Sequence, residues 1–227
     1  MGAMTSFPGM RGGTVQGYFS QPGHAKGPAV VVIQEWWGVQ GQIKAVCDRL
    51  ARMGFTALAP DLYGGKVIPY HEEAAASAAV SSLDFKAAVE DVVRGAVVHL
   101  KKSASKVGLM GFCMGGAVAV IGAARIRELD TAVSFYGLPP ANVVSGKDVR
   151  VPLQGHFASE DHSVTPEKVD AFETQLKDAG RKYEFYRYQA HHAFMNEDRK
   201  AVHDPKAAAL AWDRTLAWLQ RYLGVAL

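Results

Sequence analysis

Runs of consecutive apolar residues alternate along this chain with stretches in which apolar side chains return every three or four positions. Ala29-Val30-Val31-Val32-Ile33 contains no polar residue, the mark of a strand covered on both faces. Ile43, Val46, Cys47 and Leu50 fall at i, i+3, i+4 and i+7, which predicts an amphipathic helix over 43–53. Gly54 stops it, and a strand is expected over 55–59. The pattern then predicts a helix over 82–102, a strand over 106–110 and a helix over 115–127. Strands are expected at 131–136 and 151–155, a helix at 166–179 ended by Gly180, and a strand at 182–188. Pro205 opens a last helix through Tyr222, as suits proline in a first turn. Repeated strand–helix units predict an α/β fold with a mostly parallel central sheet and helices on both faces. No repeat, low-complexity run or long linker interrupts them, so one domain over 1–227 is expected.

Composition narrows the function classes. At 227 residues the chain can bury roughly 70–75% of its unfolded surface. The net charge is only +3 and the basic residues are spread out, unlike the basic stripe of a nucleic-acid binder. No apolar run approaches the ~18 residues of a membrane span, and the N-terminus lacks a signal-peptide pattern. Met1-Gly2-Ala3 ahead of Met4 reads as a cloning remnant before a native start. Two cysteines, Cys47 and Cys113, are too few for a secreted disulfide framework, so a reducing cytoplasm is expected. The expected partner is a small molecule, with neither nucleic acid nor membrane, and the chain is expected as a monomer or weak homodimer. No cofactor is expected. His71-Glu72-Glu73 and His191-His192 are the suggestive metal clusters, but neither has i, i+4 ligand spacing, so no metal is expected.

The chemistry concentrates at Gly111-Phe112-Cys113-Met114-Gly115, between a predicted strand and a predicted helix. This is a G-x-nucleophile-x-G turn with cysteine in the place of serine. Small glycines allow a tight strand-to-helix turn, and the helix start offers N–H groups to developing negative charge. Cys47 lies instead on the apolar face of a helix, where burial is expected. An acid and then a histidine should follow in chain order. Asp161 comes after the 151–155 strand and His192 after the last strand, on the edge where open α/β sheets place their sites. Glu160 and His191 compete from adjacent positions, and His156 and His162 lie near the acid.

At these residues the chain resembles the dienelactone hydrolase family, also called carboxymethylenebutenolidases, within the α/β-hydrolase superfamily. The resemblance runs from about Gly13 to the terminal helix. It is carried by Val32-Ile33-Gln34-Glu35-Trp36-Trp37-Gly38, Ala59-Pro60-Asp61-Leu62-Tyr63, Val107 through Gly116, Phe135-Tyr136-Gly137 and His192-Ala193-Phe194. It implies an α/β-hydrolase fold, Cys113 as nucleophile, His192 as base and Asp161 as the group that orients it. It further implies that Glu35 points at the resting thiol and helps to form the thiolate. A free thiol of pKa about 8.5 is only ~3% ionised at pH 7. The backbone N–H groups of Trp36 and Met114 would form the oxyanion hole. Trp37, Tyr136, Phe194, Asn196 and Arg199 would surround the substrate.

One departure matters. Members acting on dienelactone use arginines for the substrate carboxylate, one of them four residues after the histidine. Here that position is Asn196, the nearest arginine is Arg199, and residues 64–86 contain none. Asparagine lacks the two-point fork of a guanidinium. The implied reaction is therefore hydrolysis of an enol lactone or activated ester through a thioester. A broader carboxylesterase or thioesterase on the same residues, or a non-catalytic binding protein of the same fold, are the alternatives.

Overall fold

The computed structural model describes residues 1–23 and 27–224. Eight strands form one sheet in the order β1-β2-β4-β3-β5-β6-β7-β8. They are β1 (Ala3–Pro8), β2 (Thr14–Ser20), β3 (Ala29–Ile33), β4 (Thr56–Pro60), β5 (Val107–Phe112), β6 (Thr131–Phe135), β7 (Leu153–Glu160) and β8 (Tyr183–His191). From β4 across to β8 every pairing is parallel, while β1 and β2 join antiparallel at one edge. This is the α/β-hydrolase arrangement, with a mostly parallel sheet between helical layers.

Burial of β3 on both faces has a direct explanation. Val30 and Val32 point into one core, Ala29, Val31 and Ile33 into the other, as the two-residue period of a strand requires. The first core is closed by α1 (Gly41–Arg52), through Ile43, Val46, Cys47 and Leu50, and by α7 (Pro205–Leu223), through Trp212, Trp218 and Leu219. The second is closed by α4 (Arg94–Lys101), α5 (Met114–Arg125) and α6 (Pro166–Asp178). Thus β5, between β3 and β6 at the centre of the sheet, delivers the Gly111–Gly115 turn to the middle of one edge.

Several expectations are corrected. The β1–β2 hairpin is absent from the sequence reading because its mixed residues alternate only loosely. In that hairpin Ala3 pairs with Phe19, and the Gly2 N–H donates to Asp48 Oδ1 (2.8 Å). A further helix, α2 (Glu73–Ser82), was hidden because only Ala76 on it is buried. The helix expected over 82–102 is instead α3 (Phe85–Ala87), a π-helical segment (Ala88–Val93) and α4. β7 extends to Glu160 rather than Gly155, so Asp161 follows the strand directly. Among the described residues no helix is long and apolar enough to cross a membrane.

Candidate active site

Cys113 sits between β5 and α5 with φ 55° and ψ −116°, a backbone conformation that non-glycine residues seldom adopt. Its surroundings over-determine it. The Cys113 N–H donates to Phe135 O (3.0 Å), and its carbonyl accepts from Gly116 N (2.9 Å). The flanking glycines are required by space: a Cβ on Gly111 would lie 1.9 Å from Gly115 O, and one on Gly115 2.6 Å from Ile33 O. The turn therefore folds only with hydrogen at both positions, and it leaves the Cys113 side chain half-buried beside open space.

Loops after β3, β6, β7 and β8 complete the site. Asp161 is buried, and its Oδ2 lies 2.6 Å from His192 Nδ1. Its other oxygen accepts from the N–H groups of Ser163 (2.7 Å) and Val164 (2.9 Å). Burial pushes the Asp161 carboxyl up, but the hydrogen bond and charge of His192 and the two N–H groups outweigh it, so the pKa is lowered. For His192, burial disfavours charge, yet the Asp161 hydrogen bond and the Cys113 sulfur prevail and push its pKa up to about 10. An ionised carboxylate only accepts, so Nδ1 carries the proton and Nε2 serves the cysteine side.

The structure separates the competing neighbours. Glu160 and His191 pair with each other at 3.2 Å on the exposed side of the sheet edge. His156 is buried against Tyr188 Oη (2.8 Å), Gln154 Oε1 (2.9 Å) and Thr215 Oγ1 (3.0 Å). Burial, with the charge of Arg214, lowers its pKa to about 3. It is a neutral structural histidine. His162 is exposed.

Glu35 lines the same cavity as Cys113. Its carboxyl accepts from Tyr136 Oη (2.9 Å) and Asn196 Nδ2 (2.8 Å), one bond to each oxygen. Burial raises its pKa, opposed by Asn196, Tyr136, His192 and Arg199. Both oxygens are thus engaged by residues other than the thiol. The Asn196 position, where an arginine was sought, is turned inward and fully buried.

A cavity of about 280 Å³ is lined by Glu35, Trp36, Cys113, Met114, Tyr136, His192 and Arg199, among others. Met114 opens α5, so its N–H has no partner within the helix. Of the expected substrate neighbours, Tyr136 and Arg199 line this cavity, whereas Trp37, Phe194 and Asn196 do not. Trp37 is buried under the Arg199 guanidinium (5.3 Å to the ring centre) and edge-on to Tyr70. Phe194 packs between Tyr136 and Tyr188. These three buttress the wall from behind because their loops fold inward. Ala117, Leu138, Ser163 and Val164 also line the cavity. Sequence reading missed them, and only the small size of Ala117 on the elbow helix gave a signal.

The model of the dienelactone hydrolase family matches residues 15–223. A protein of Aquifex aeolicus named "Putative carboxymethylenebutenolidase" is 35% identical over 236 residues, covering 98% of this chain and 100% of the relative. An Escherichia coli protein of the same name is 31% identical over 97% of this chain and 87% of its own length. Among solved structures, a "Putative Dienelactone Hydrolase" of Klebsiella pneumoniae superposes with TM-score 0.87 at 28% identity, covering 98% of this chain and 99% of its own. An esterase of Pyrococcus furiosus (TM-score 0.74, 17% identity, 99% and 94% coverage) shares the fold. The chain belongs to the dienelactone hydrolase family, a group of carboxylic ester hydrolases built on the α/β-hydrolase fold.

Proposed function

We propose that this protein hydrolyses an enol lactone or activated ester through a thioester on Cys113. The observation that carries this reading is that one cavity gathers Cys113, His192, Trp36 and Met114 from three strand ends, while Asp161 holds the far nitrogen of the histidine. His192 Nε2 takes the proton from Cys113 Sγ, and the thiolate attacks the carbonyl carbon. The resulting oxyanion is met by the N–H groups of Trp36 and Met114. The carbon–oxygen bond then breaks, and the leaving oxygen, enolate or alkoxide, takes the proton from His192, which frees the imidazole for the second step. Water, losing a proton to His192, attacks the thioester; the carbon–sulfur bond breaks and the thiol is restored.

The raised pKa lets His192 hold the thiol proton through the attack, so the reacting form in this reading is the thiolate–imidazolium pair. Glu35, with both oxygens occupied, acts in this reading as a positioning residue that holds the loop bearing the Trp36 N–H. Arg199 is the cation on the cavity wall, and it offers a single guanidinium to an anionic substrate rather than a pair. The chain acts as a monomer or weak homodimer in the cytoplasm, a setting that suits its two free cysteines.

Mass spectrometry after mixing with an aryl ester tests the mechanism. A transient acyl adduct on the peptide containing Cys113, and loss of turnover in Cys113→Ala, are expected. Undiminished turnover in that variant would sink the cysteine mechanism.

A further inference from the structure

A larger cavity of about 430 Å³ adjoins the catalytic one. One wall is the loop Leu138-Pro139-Pro140-Ala141 after β6; the other is α6, whose Lys168, Ala171, Phe172 and Gln175 line it. Those four helix positions are i, i+3, i+4 and i+7, so they form one continuous stripe. Leu138, Ser163 and Val164 line both cavities. The shared lining thus includes Ser163 and Val164, whose N–H groups hold Asp161.

Two of the polar side chains at the second cavity, Lys168 and Gln175, are already engaged. Lys168 Nζ donates to Ser163 O (2.9 Å), and Gln175 Oε1 accepts from Gly146 N (2.8 Å). No aspartate or glutamate lines it. What faces the space is apolar: Leu138, Pro140, Ala141, Val164, Ala171 and Phe172. Two consecutive prolines, with φ fixed by their rings, stiffen the loop. The catalytic cavity alone, about 280 Å³, falls just below the ~300–1,000 Å³ of ordinary small-molecule sites.

We propose that this second cavity is a substrate subsite, holding an apolar alkyl or aryl arm of the ester whose carbonyl lies at Cys113. The inference rests on the catalytic reading above and adds its substrate class: esters with an extended, uncharged arm. The shared lining residues Leu138, Ser163 and Val164 argue for the occupant, since they place the second space next to the catalytic cavity, within reach of an arm on the bound ester.

The test uses the full chain and two series of aryl or alkyl esters, one lengthening the acyl side from acetyl to octanoyl and one lengthening the alcohol. In at least one series kcat/KM should rise about three- to fourfold per methylene over the first several carbons, as burial of a methylene predicts. Ala171→Trp and Ala141→Phe, both at exposed positions, fill the cavity from opposite walls. Each should lower the long-to-short ratio of kcat/KM by about tenfold or more. Flat profiles in both series, or a long-chain preference that both variants preserve, overturn the subsite. Should Cys113→Ala turn over the acetyl ester as fast as the parent, the catalytic reading fails and the subsite falls with it. Cys113-dependent acetyl turnover with flat profiles overturns the subsite alone.

Discussion

In the proposed reaction the chemistry turns on His192, which is held between the Asp161 carboxylate and the Cys113 sulfur. Asp161 bonds Nδ1 at 2.6 Å and the Cys113 sulfur adds to its basicity, against the pull of burial, so the pKa reaches about 10. Activity is expected to persist through neutral pH and to fall as pH rises through about 10, where the imidazolium is lost. Asp161→Asn removes the carboxylate whose hydrogen bond contributes most to raising it, so it should move that basic limb to lower pH. It should also lower kcat by about a hundred- to ten-thousandfold. A pH series of kcat/KM on both proteins checks this, and an unmoved limb in the variant would refute the assignment. Arg199 belongs to the same scale. Arg199→Gln is expected to raise KM for an anionic aryl ester about tenfold while changing KM for its neutral analogue little, because one guanidinium on the cavity wall is removed. Steady-state kinetics on the matched pair decides it.

Elements matter here through how rigidly they hold the strand ends. α7 is anchored by Trp218, which is buried and donates from Nε1 to Thr131 Oγ1 at 2.7 Å, at the start of β6. The Thr131 hydroxyl in turn donates to Pro152 O at 2.9 Å, just ahead of β7. Trp218→Ala should lower stability by about 3–5 kcal/mol, read as a shift in the urea midpoint, because it leaves a large void. The elbow is equally legible as an element. Its glycine spacing is local, so sequence exposes it. By contrast, α2 and the β1–β2 hairpin bury too little to leave a clear period, and their place depends on docking at the sheet edge and its flank.

For the whole molecule, one sheet with a core on each face leads us to propose one cooperative folding unit, with a single urea transition by fluorescence and circular dichroism. Its stability should depend on pH through the Asp161–His192 pair. His192 is raised above its ordinary 6.5, so its contribution is full below that pH and is lost as pH rises towards about 10. Asp161 is lowered, so its contribution is full above the ordinary 3.8 and is lost as pH falls below it. The urea midpoint should therefore decline between pH 7 and 10, and Asp161→Asn should flatten that decline. A parent midpoint constant over this range would contradict the pairing.

Sequence by itself determined the sheet-and-helix alternation, the elbow at Cys113 and the chain order of acid and histidine, because each rests on local spacing. Tertiary structure decided which neighbours meet inside: Asp161 pairs with His192 at the cavity, while Glu160 and His191 pair on the exposed edge, since the strand ends fix which side chain turns inward. It also joined Asn196 to Glu35 across 161 positions, so the residue sought as a substrate contact became a prop behind the cavity wall. The apolar cleft between the loop after β6 and α6 belongs to the same class. Its walls come from a loop and a helix that meet only once the sheet has brought β6 and β7 side by side.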